Sequence, residues 1–296
     1  MTQMSAPHFD SDSNIKIICF VCFVRIITLV FNIVTMEFTI DNIEKLVFEL
    51  YHNQNETLQS QANEFLTLAQ VSPQAWQFSK QLLDNSKPIE VQYFGANTLY
   101  FKVSKFWHEL DTEKQLELRN LLINSLISYL PQQGCRIIEK RLSLALAAFV
   151  VNSVGSTWEN AIEELMTTLQ PNNWNGISGD RILQVLIELL SLIPEEFQTT
   201  HFTMYQRTIT RSALLKSINQ VFQLIHAVMS EQQITNDLKQ SSIKCFANWS
   251  EKTGPLIITD AHEQLITMVL QAVCDEELCQ TAVDALTNIY SHPEIH

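Results

Sequence analysis

Residues 142–150, LSLALAAFV, constrain the fold more than any other stretch, because at helical spacing they leave no continuous polar face. A helix that is apolar around most of its circumference has to be covered on several sides. The segments before it, Val91–Trp107 and Thr112–Leu130, also have helical patterns, and neither neighbour could bury its own apolar stripe alone. This arrangement indicates helices stacked in pairs.

The alternation of helices and turns continues from Met36 to the end of the chain. Only 6 glycines and 8 prolines occur in 296 residues, which favours long helices joined by short loops. The spacing predicts about six antiparallel helix pairs, close to the ~40–47 residues of HEAT and armadillo repeats. We therefore expect an all-α fold, a right-handed α-solenoid of HEAT-like helix pairs. Pro194 is expected to end one helix, and the long segment Phe202–Ser230 is expected to be irregular near Ser212.

Residues 1–35 do not fit this pattern. Ile15–Val34 is long and apolar enough for a membrane span, but Arg25 near its centre would cost about 2.5–3.5 kcal/mol there. Met36 opens a segment that is typical of a cytosolic N-terminus. We interpret 1–35 as an atypical hydrophobic extension foreign to the native protein, with a membrane anchor as the alternative. The folded domain is then 36–296, and its last helix has no obvious capping repeat, which is typical of the first part of a longer superhelix.

Charge and motifs exclude several classes of function. The net charge of −13 disfavours nucleic acid and favours basic partners, although it also serves solubility. The sequence contains no phosphate-binding loop, nucleophile elbow or HEXXH motif. Its 6 cysteines are scattered through apolar helical stretches, as is typical of reduced thiols. We expect no enzyme activity, no cofactor and no metal site.

Two consecutive stretches carry a family resemblance. QANEFLTLAQVSPQAWQFSKQLL and IEVQYFGANTLYFKVSKFW resemble the opening of the importin-β superfamily of nuclear transport receptors. The second helix of that family usually ends in Leu-Lys-Asn followed by Trp. Here Phe101, Lys102 and Val103 stand at the triplet and Trp107 at the tryptophan, so the asparagine is missing. Further along, VLIELLSLIPEEFQ is similar to the branch of importin thirteen and transportin-SR, and the resemblance extends from Met36 to His296.

The resemblance implies a carrier that shuttles between nucleus and cytoplasm through contacts with nuclear pore proteins. It also implies that the second helices of the N-terminal repeats bind the small GTPase Ran in its GTP state. Lys102 falls on the family's second-repeat lysine and is the first candidate for this contact. Gln92 and Tyr93 share its helix, and Arg141 lies in the third pair. The alternatives are a solvated Lys102, a Tyr93 that packs between repeats and an Arg141 held in a structural ion pair.

Three acidic residues are candidates for binding a basic protein cargo: Glu188, Glu195 and Glu196. The IPEE segment that contains two of them also fits ordinary helix-end chemistry. A generic HEAT scaffold or regulatory subunit without Ran dependence is the alternative function. The two hypotheses differ in one observable, because a scaffold has no reason to distinguish Ran-GTP from Ran-GDP.

Overall fold

The computed structural model describes residues 37–174, 176–231, 233–253 and 260–291. Regular structure in these ranges consists of twelve α-helices and two short 3-10 turns, so the all-α prediction is confirmed. The chain divides into two compact units, Met1–Gln74 and Ala75–His296. Residues 1–35, with the candidate membrane segment, lie outside the described residues. Among the helices that are described, none is long and apolar enough to cross a membrane.

The first unit contains one described helix pair, α1 (Ile40–His52) and α2 (Glu56–Val71). Asn55 caps α2, because its side chain accepts hydrogen bonds from the backbone N–H groups of the next turn. The two helices pack against each other through a small apolar core of Ile43, Val47, Ala62, Phe65, Leu66 and Ala69.

The second unit contains ten described helices that form five consecutive pairs. They are α3 (Ala75–Leu82), α4 (Ile89–Lys105), α5 (Thr112–Tyr129), α6 (Arg136–Ser153), α7 (Ala161–Thr168), α8 (Gly179–Thr199), α9 (Met204–Ser230), α10 (Asn236–Lys252), α11 (Asp260–Ala272) and α12 (Cys279–Tyr290).

The second helices of these pairs contact one another in succession, α4 on α6, α6 on α8, α8 on α10 and α10 on α12. We call α4, α6, α8, α10 and α12 the second-helix row, and α3, α5, α7, α9 and α11 the first-helix row. Hydrogen bonds fix the register: Gln184 donates to Ser241 (2.9 Å), and further along Asn248 donates to Ser191 (2.8 Å). These two bonds show that α8 and α10 are parallel. Tyr93 with Arg141 near the start, and Trp107 with Phe149 near the end, show the same for α4 and α6. The predicted solenoid of helix pairs is confirmed.

Helix α6 lies at the centre of this unit, in contact with α4, α5, α7 and α8. Most of its length is buried all round, as its apolar sequence requires. Its Phe149 packs edge-on against Trp107 and Trp158, which follow α4 and α6, at ring-centroid distances of 5.1 and 5.8 Å. These two tryptophans therefore close the apolar layer between consecutive repeats.

One expected helix end and one expected irregularity inside a helix are wrong. Helix α8 continues through Pro194 to Thr199. A proline has no N–H to donate, so the Leu190 carbonyl one turn earlier is free, and it accepts a hydrogen bond from the Trp249 indole at 2.8 Å. Helix α9 is one uninterrupted helix of 27 residues, without the irregularity expected near Ser212.

Candidate partner-binding face on the second helices

All seven candidate residues lie on three consecutive members of the second-helix row. The Ran-binding candidates Gln92, Tyr93 and Lys102 are on α4, and Arg141 is on α6. The three cargo-binding candidates are on α8. The structure therefore brings the seven onto neighbouring parallel helices, but their side chains differ widely in exposure and in partners.

Arg141 on α6 contacts two tyrosines of α4, and one of these tyrosines extends the contact to α8. Its Nη2 donates to the Tyr93 hydroxyl (2.8 Å), and its guanidinium carbon lies 5.5 and 5.7 Å from the ring centroids of Tyr93 and Tyr100. The Tyr100 hydroxyl in turn donates to Glu196 on α8 (3.0 Å). Arg141 and Tyr93 are half-buried, so part of each faces solvent. A guanidinium held between two rings is pre-organised to contact a partner.

Burial raises the pKa of both members of the Tyr100–Glu196 hydrogen bond. For Tyr100 the nearby Glu196 carboxylate adds to the effect of burial. For Glu196 burial is again the largest cause and the neighbouring Glu195 adds to it, while the Tyr100 hydroxyl and Lys105 act in the opposite direction. Glu196 is 6% exposed, so its carboxylate faces the inside of the row.

Lys102 is completely buried, between elements of its own repeat. Its ammonium group bonds to Glu109 at 2.6 Å and lies 5.2 Å from the Trp76 ring and 4.2 Å from the Phe106 ring. The Trp76 indole donates to the same Glu109 carboxylate at 2.8 Å. Burial alone would raise the pKa of Glu109, but the hydrogen bonds from Lys102 and Trp76 outweigh it and lower that pKa. Lys102 therefore fixes the turn that follows α4.

Gln92 is also buried, and it ties α4 to its surroundings. Its amide donates to the Lys87 carbonyl (2.6 Å), and its Oε1 accepts from the Tyr129 hydroxyl (2.6 Å). The same hydroxyl contacts the Leu83 carbonyl at 3.0 Å, and burial raises the pKa of Tyr129 to about 12, so the group stays protonated. Gln92 thus positions the start of α4.

Glu188 belongs to a network of charges between α6 and α8. Its Oε1 accepts from Arg136 (2.8 Å) and from Gln184 (2.6 Å). Nearby, Arg181 pairs with the buried Glu139. Burial raises the pKa of Glu139, and the Arg181 guanidinium opposes that rise. Glu188 therefore neutralises Arg136 on the neighbouring helix α6, and part of its side chain still faces solvent.

Glu195 is the most exposed of the acidic candidates, at 45% of its side chain. It accepts from Asn248 (2.7 Å) and lies 3.8 Å from Lys252. It also lines a cleft of about 250 Å³ between α8, α10 and α12. Two further charged residues of that cleft, Lys244 and Asp284, are exposed.

Several residues of this face escaped the sequence analysis. Tyr100 could have been found, because it lies two helical turns after Tyr93 and so shares its face. Glu109 and Trp76 could not, because they reach Lys102 from separate elements. In the part of the chain that the structure describes, no group of His, Cys, Asp and Glu has the arrangement of a metal site.

Comparisons with known proteins agree with this architecture. Residues 135–286 match the exportin 1-like protein family, and residues 62–128 match the importin-beta N-terminal domain. Importin-13 of Homo sapiens is 32% identical over 259 residues, which is 88% of this chain and 26% of that protein. Importin-13 homolog A of Dictyostelium discoideum is 28% identical over 228 residues, 74% of this chain and 21% of the relative. Transportin MOS14 of Arabidopsis thaliana is 24% identical over 247 residues, 82% of this chain and 25% of the relative.

The chain thus spans about a quarter of the length of the curated relatives it matches, and it corresponds to an N-terminal part of importin-13. The relatives are transport receptors and not enzymes, in agreement with the absence of catalytic motifs from the sequence. From the two family matches and the stacked helix pairs, we conclude that the chain belongs to the importin-β superfamily of nuclear transport receptors.

Proposed function

We propose that the chain is the Ran-responsive N-terminal part of a nuclear transport receptor. In this proposal the second-helix row binds Ran in its GTP state, carries protein cargo, and releases one partner when the other binds. The observation that carries it is the membership of the importin-β superfamily together with a continuous row of parallel helices that holds every candidate residue. Such a row presents side chains from many repeats to one broad partner surface.

Exposure divides the Ran-binding candidates into two roles. Tyr93 and Arg141 are half-buried, and they provide the direct contacts in this proposal. Gln92 and Lys102, at 5% and 0% exposure, hold α4 and the turn after it in place. Replacing Lys102 would leave the Glu109 carboxylate without its cation and would empty a buried site, so it would destabilise the fold and change binding only through the structure.

Cargo is proposed to contact the α8 part of the row. Glu195 beside the cleft, and Glu188 next to α6, would attract a basic partner, whereas Glu196 is too buried for direct contact. Ran and cargo would then compete for overlapping parts of one face, and the coupling between them would be reciprocal. Passage between nucleus and cytoplasm would also need contacts with nuclear pore proteins.

Binding of the full 296-residue chain to Ran loaded with GTP or with GDP tests this function. We expect the GTP form to bind at least about tenfold more tightly, a difference of ~1.4 kcal/mol. Arg141→Ala should weaken that binding by a similar factor. Arg119→Ala is the matched control, because Arg119 on α5 is also stacked on an aromatic ring (4.9 Å from Trp158) and paired with a carboxylate.

Equal affinity for the two nucleotide states would reject the receptor function in favour of the generic HEAT scaffold. Equal weakening by Arg119→Ala and Arg141→Ala would show that the second-helix row is not the binding face. Circular dichroism of each variant would establish that its helices are intact.

A further inference from the structure

A buried histidine lies where the last two described helix pairs meet. His262, in the first turn of α11, is 1% exposed. Its ring lies 5.7 Å from the Phe222 ring on α9 and 5.4 Å from the Phe246 ring on α10. The two phenylalanine rings are 5.2 Å apart. We call His262, Phe222 and Phe246 the aromatic joint, because it connects α11 to both helices of the preceding pair.

The aromatic joint surrounds an ionisable ring with apolar ones. A cation is costly in such surroundings, so the packed joint favours the neutral imidazole, and burial accordingly lowers the pKa of His262. When α11 and α12 separate from α9 and α10, the ring returns to water, where its pKa is about 6.5. The stability of the packed joint is therefore complete above about pH 6.5 and decreases as the pH falls towards the folded-state pKa.

Four helices bring other titratable side chains to the level of the aromatic joint. By helix position on α11, α9, α10 and α12 in turn, they are Asp260, Glu263, His226, Lys244, Cys245 and Asp284. Cys245 is buried, and burial raises the pKa of its thiol, so it stays neutral. His226 is half-buried, and the other four side chains are exposed to solvent. Burial lowers the pKa of His262, and none of these described groups counteracts that effect.

The packing around the joint allows one helix pair to open by itself. Helices α11 and α12 pack on each other, α11 on α9 and α12 on α10. Two hydrogen bonds between the pairs lie at the turn that joins α11 to α12, away from the joint. There Gln240 donates to the Glu277 carbonyl (3.0 Å) and Asn236 to the Glu277 carboxylate. Because stacked repeats contact mainly their neighbours, one pair can separate while the others stay folded.

We propose that the aromatic joint is an acid-sensitive latch, in which protonation of His262 releases α11 and α12 from α9 and α10 while the earlier pairs stay folded. Release removes α12 from the cleft that it forms with α8 and α10 beside Glu195, and so changes that end of the second-helix row. The latch operates without a binding partner and is therefore independent of the proposed function.

Amide hydrogen exchange of the full chain at about pH 7.5 and about pH 5.5, corrected for the intrinsic pH dependence of exchange, tests the latch. Protection of α11 and α12 should fall severalfold at the lower pH, up to about tenfold, because the released imidazole has a pKa of about 6.5. Protection of α4 and α6 should stay unchanged.

Two variants and one control assign the effect to His262. His262→Phe keeps an aromatic ring in the joint but cannot ionise, so it should remove the acid response of α11 and α12. His262→Leu is the second variant, for the case that the larger phenylalanine does not fit. The control is His226→Phe on α9, because His226 is half-buried and outside the joint, and this variant should keep the response.

Four results would overturn the proposal. They are unchanged protection of α11 and α12 at the lower pH, an equal loss in all helices, an acid response that persists in both His262 variants, and loss of the response in His226→Phe. Circular dichroism at both pH values would establish that each variant is folded before its exchange is compared.

Discussion

The hydrogen bond between Tyr100 and Glu196 makes the stability of the second-helix row depend on the protonation of one buried carboxyl group. It crosses from α4 to α8, over the Arg141 side chain that lies against Tyr100. Because burial raises the pKa of Glu196, the folded state favours its protonated form. A carboxyl group with a raised pKa contributes stability at low pH, and that contribution is lost as the pH rises through its folded-state pKa.

We therefore predict that Glu196→Gln stabilises the protein at neutral pH, since an amide cannot ionise and its oxygen still accepts from Tyr100. The gain in the free energy of unfolding should be on the order of 1 kcal/mol near pH 7 and should shrink towards about pH 4, where Glu196 is itself protonated. Urea unfolding at several pH values measures this difference.

Glu117→Gln on α5 is the control, because Glu117 is exposed and its replacement should leave the unfolding free energy nearly unchanged at every pH. A variant Glu196→Gln that is less stable than the unmodified chain at neutral pH would contradict the account. It would mean that the charged form of Glu196 is needed in the folded state.

At the scale of single residues, the sequence could be used to select candidate residues but not to predict the contacts that each of them makes. Tyr93 and Arg141 could be selected from the family resemblance, and the structure pairs them with each other through a hydrogen bond and a cation–ring contact. The environment of Lys102 was not predictable, because Trp76, Phe106 and Glu109 are brought to it by three separate turns or helices. Apolar periodicity predicts which face of a helix is buried, but it does not predict which residues of other elements pack against that face.

Among the helices, α8 and α10 illustrate how a proline can create a contact between repeats. Pro194 leaves the buried Leu190 carbonyl without its usual partner within the helix, and the Trp249 indole of α10 supplies the missing hydrogen bond. A buried carbonyl left unsatisfied would cost about 1–3 kcal/mol. The proline and the tryptophan are therefore expected to act as a unit.

A double-mutant cycle tests this coupling. Trp249→Phe should be clearly destabilising in the native background, because it removes the indole donor that replaces the missing N–H of Pro194 at the Leu190 carbonyl. In a Pro194→Ala background the new N–H at position 194 can take over, so the cost of Trp249→Phe should fall by about 1 kcal/mol.

Trp158→Phe serves as the control in both backgrounds, because the Trp158 indole donates to the Glu164 carboxylate (2.7 Å) and has no contact with Pro194. Its cost should be the same with and without the proline. The same independence for Trp249→Phe would show that proline and tryptophan do not act together. Unfolding free energies from urea titrations provide all the values required.

The existence of each described helix was predictable from the sequence, but the end of α8 was not. The sequence gives strong apolar periodicity and few glycines, and these predict the order of the twelve helices. Pro194 misled the prediction because a proline in the last turns of a helix removes only one hydrogen bond when a tertiary partner replaces it. Such compensation comes from the neighbouring repeat and cannot be read locally.

For the molecule as a whole, repetition made the architecture predictable and left the binding face uncertain. The second-helix row combines buried supports, such as Lys102, with half-exposed groups, such as Tyr93 and Arg141. Only burial in the folded unit separates these two kinds of residue. The interpretation of residues 1–35 as a foreign extension stays a prediction, since they lie outside the described residues.

Lysine footprinting with and without Ran tests the central claim, that the second-helix row is a face that responds to the nucleotide state of the GTPase. Exposed lysines occur on both rows: Lys105 and Lys140 on α4 and α6, and Lys114 and Lys216 on α5 and α9. Acetylation of the full chain, read out by mass spectrometry, should slow at Lys105 and Lys140 in the presence of Ran-GTP but not of Ran-GDP. Unchanged rates at these two lysines, or equal protection of Lys114 and Lys216, would contradict the account.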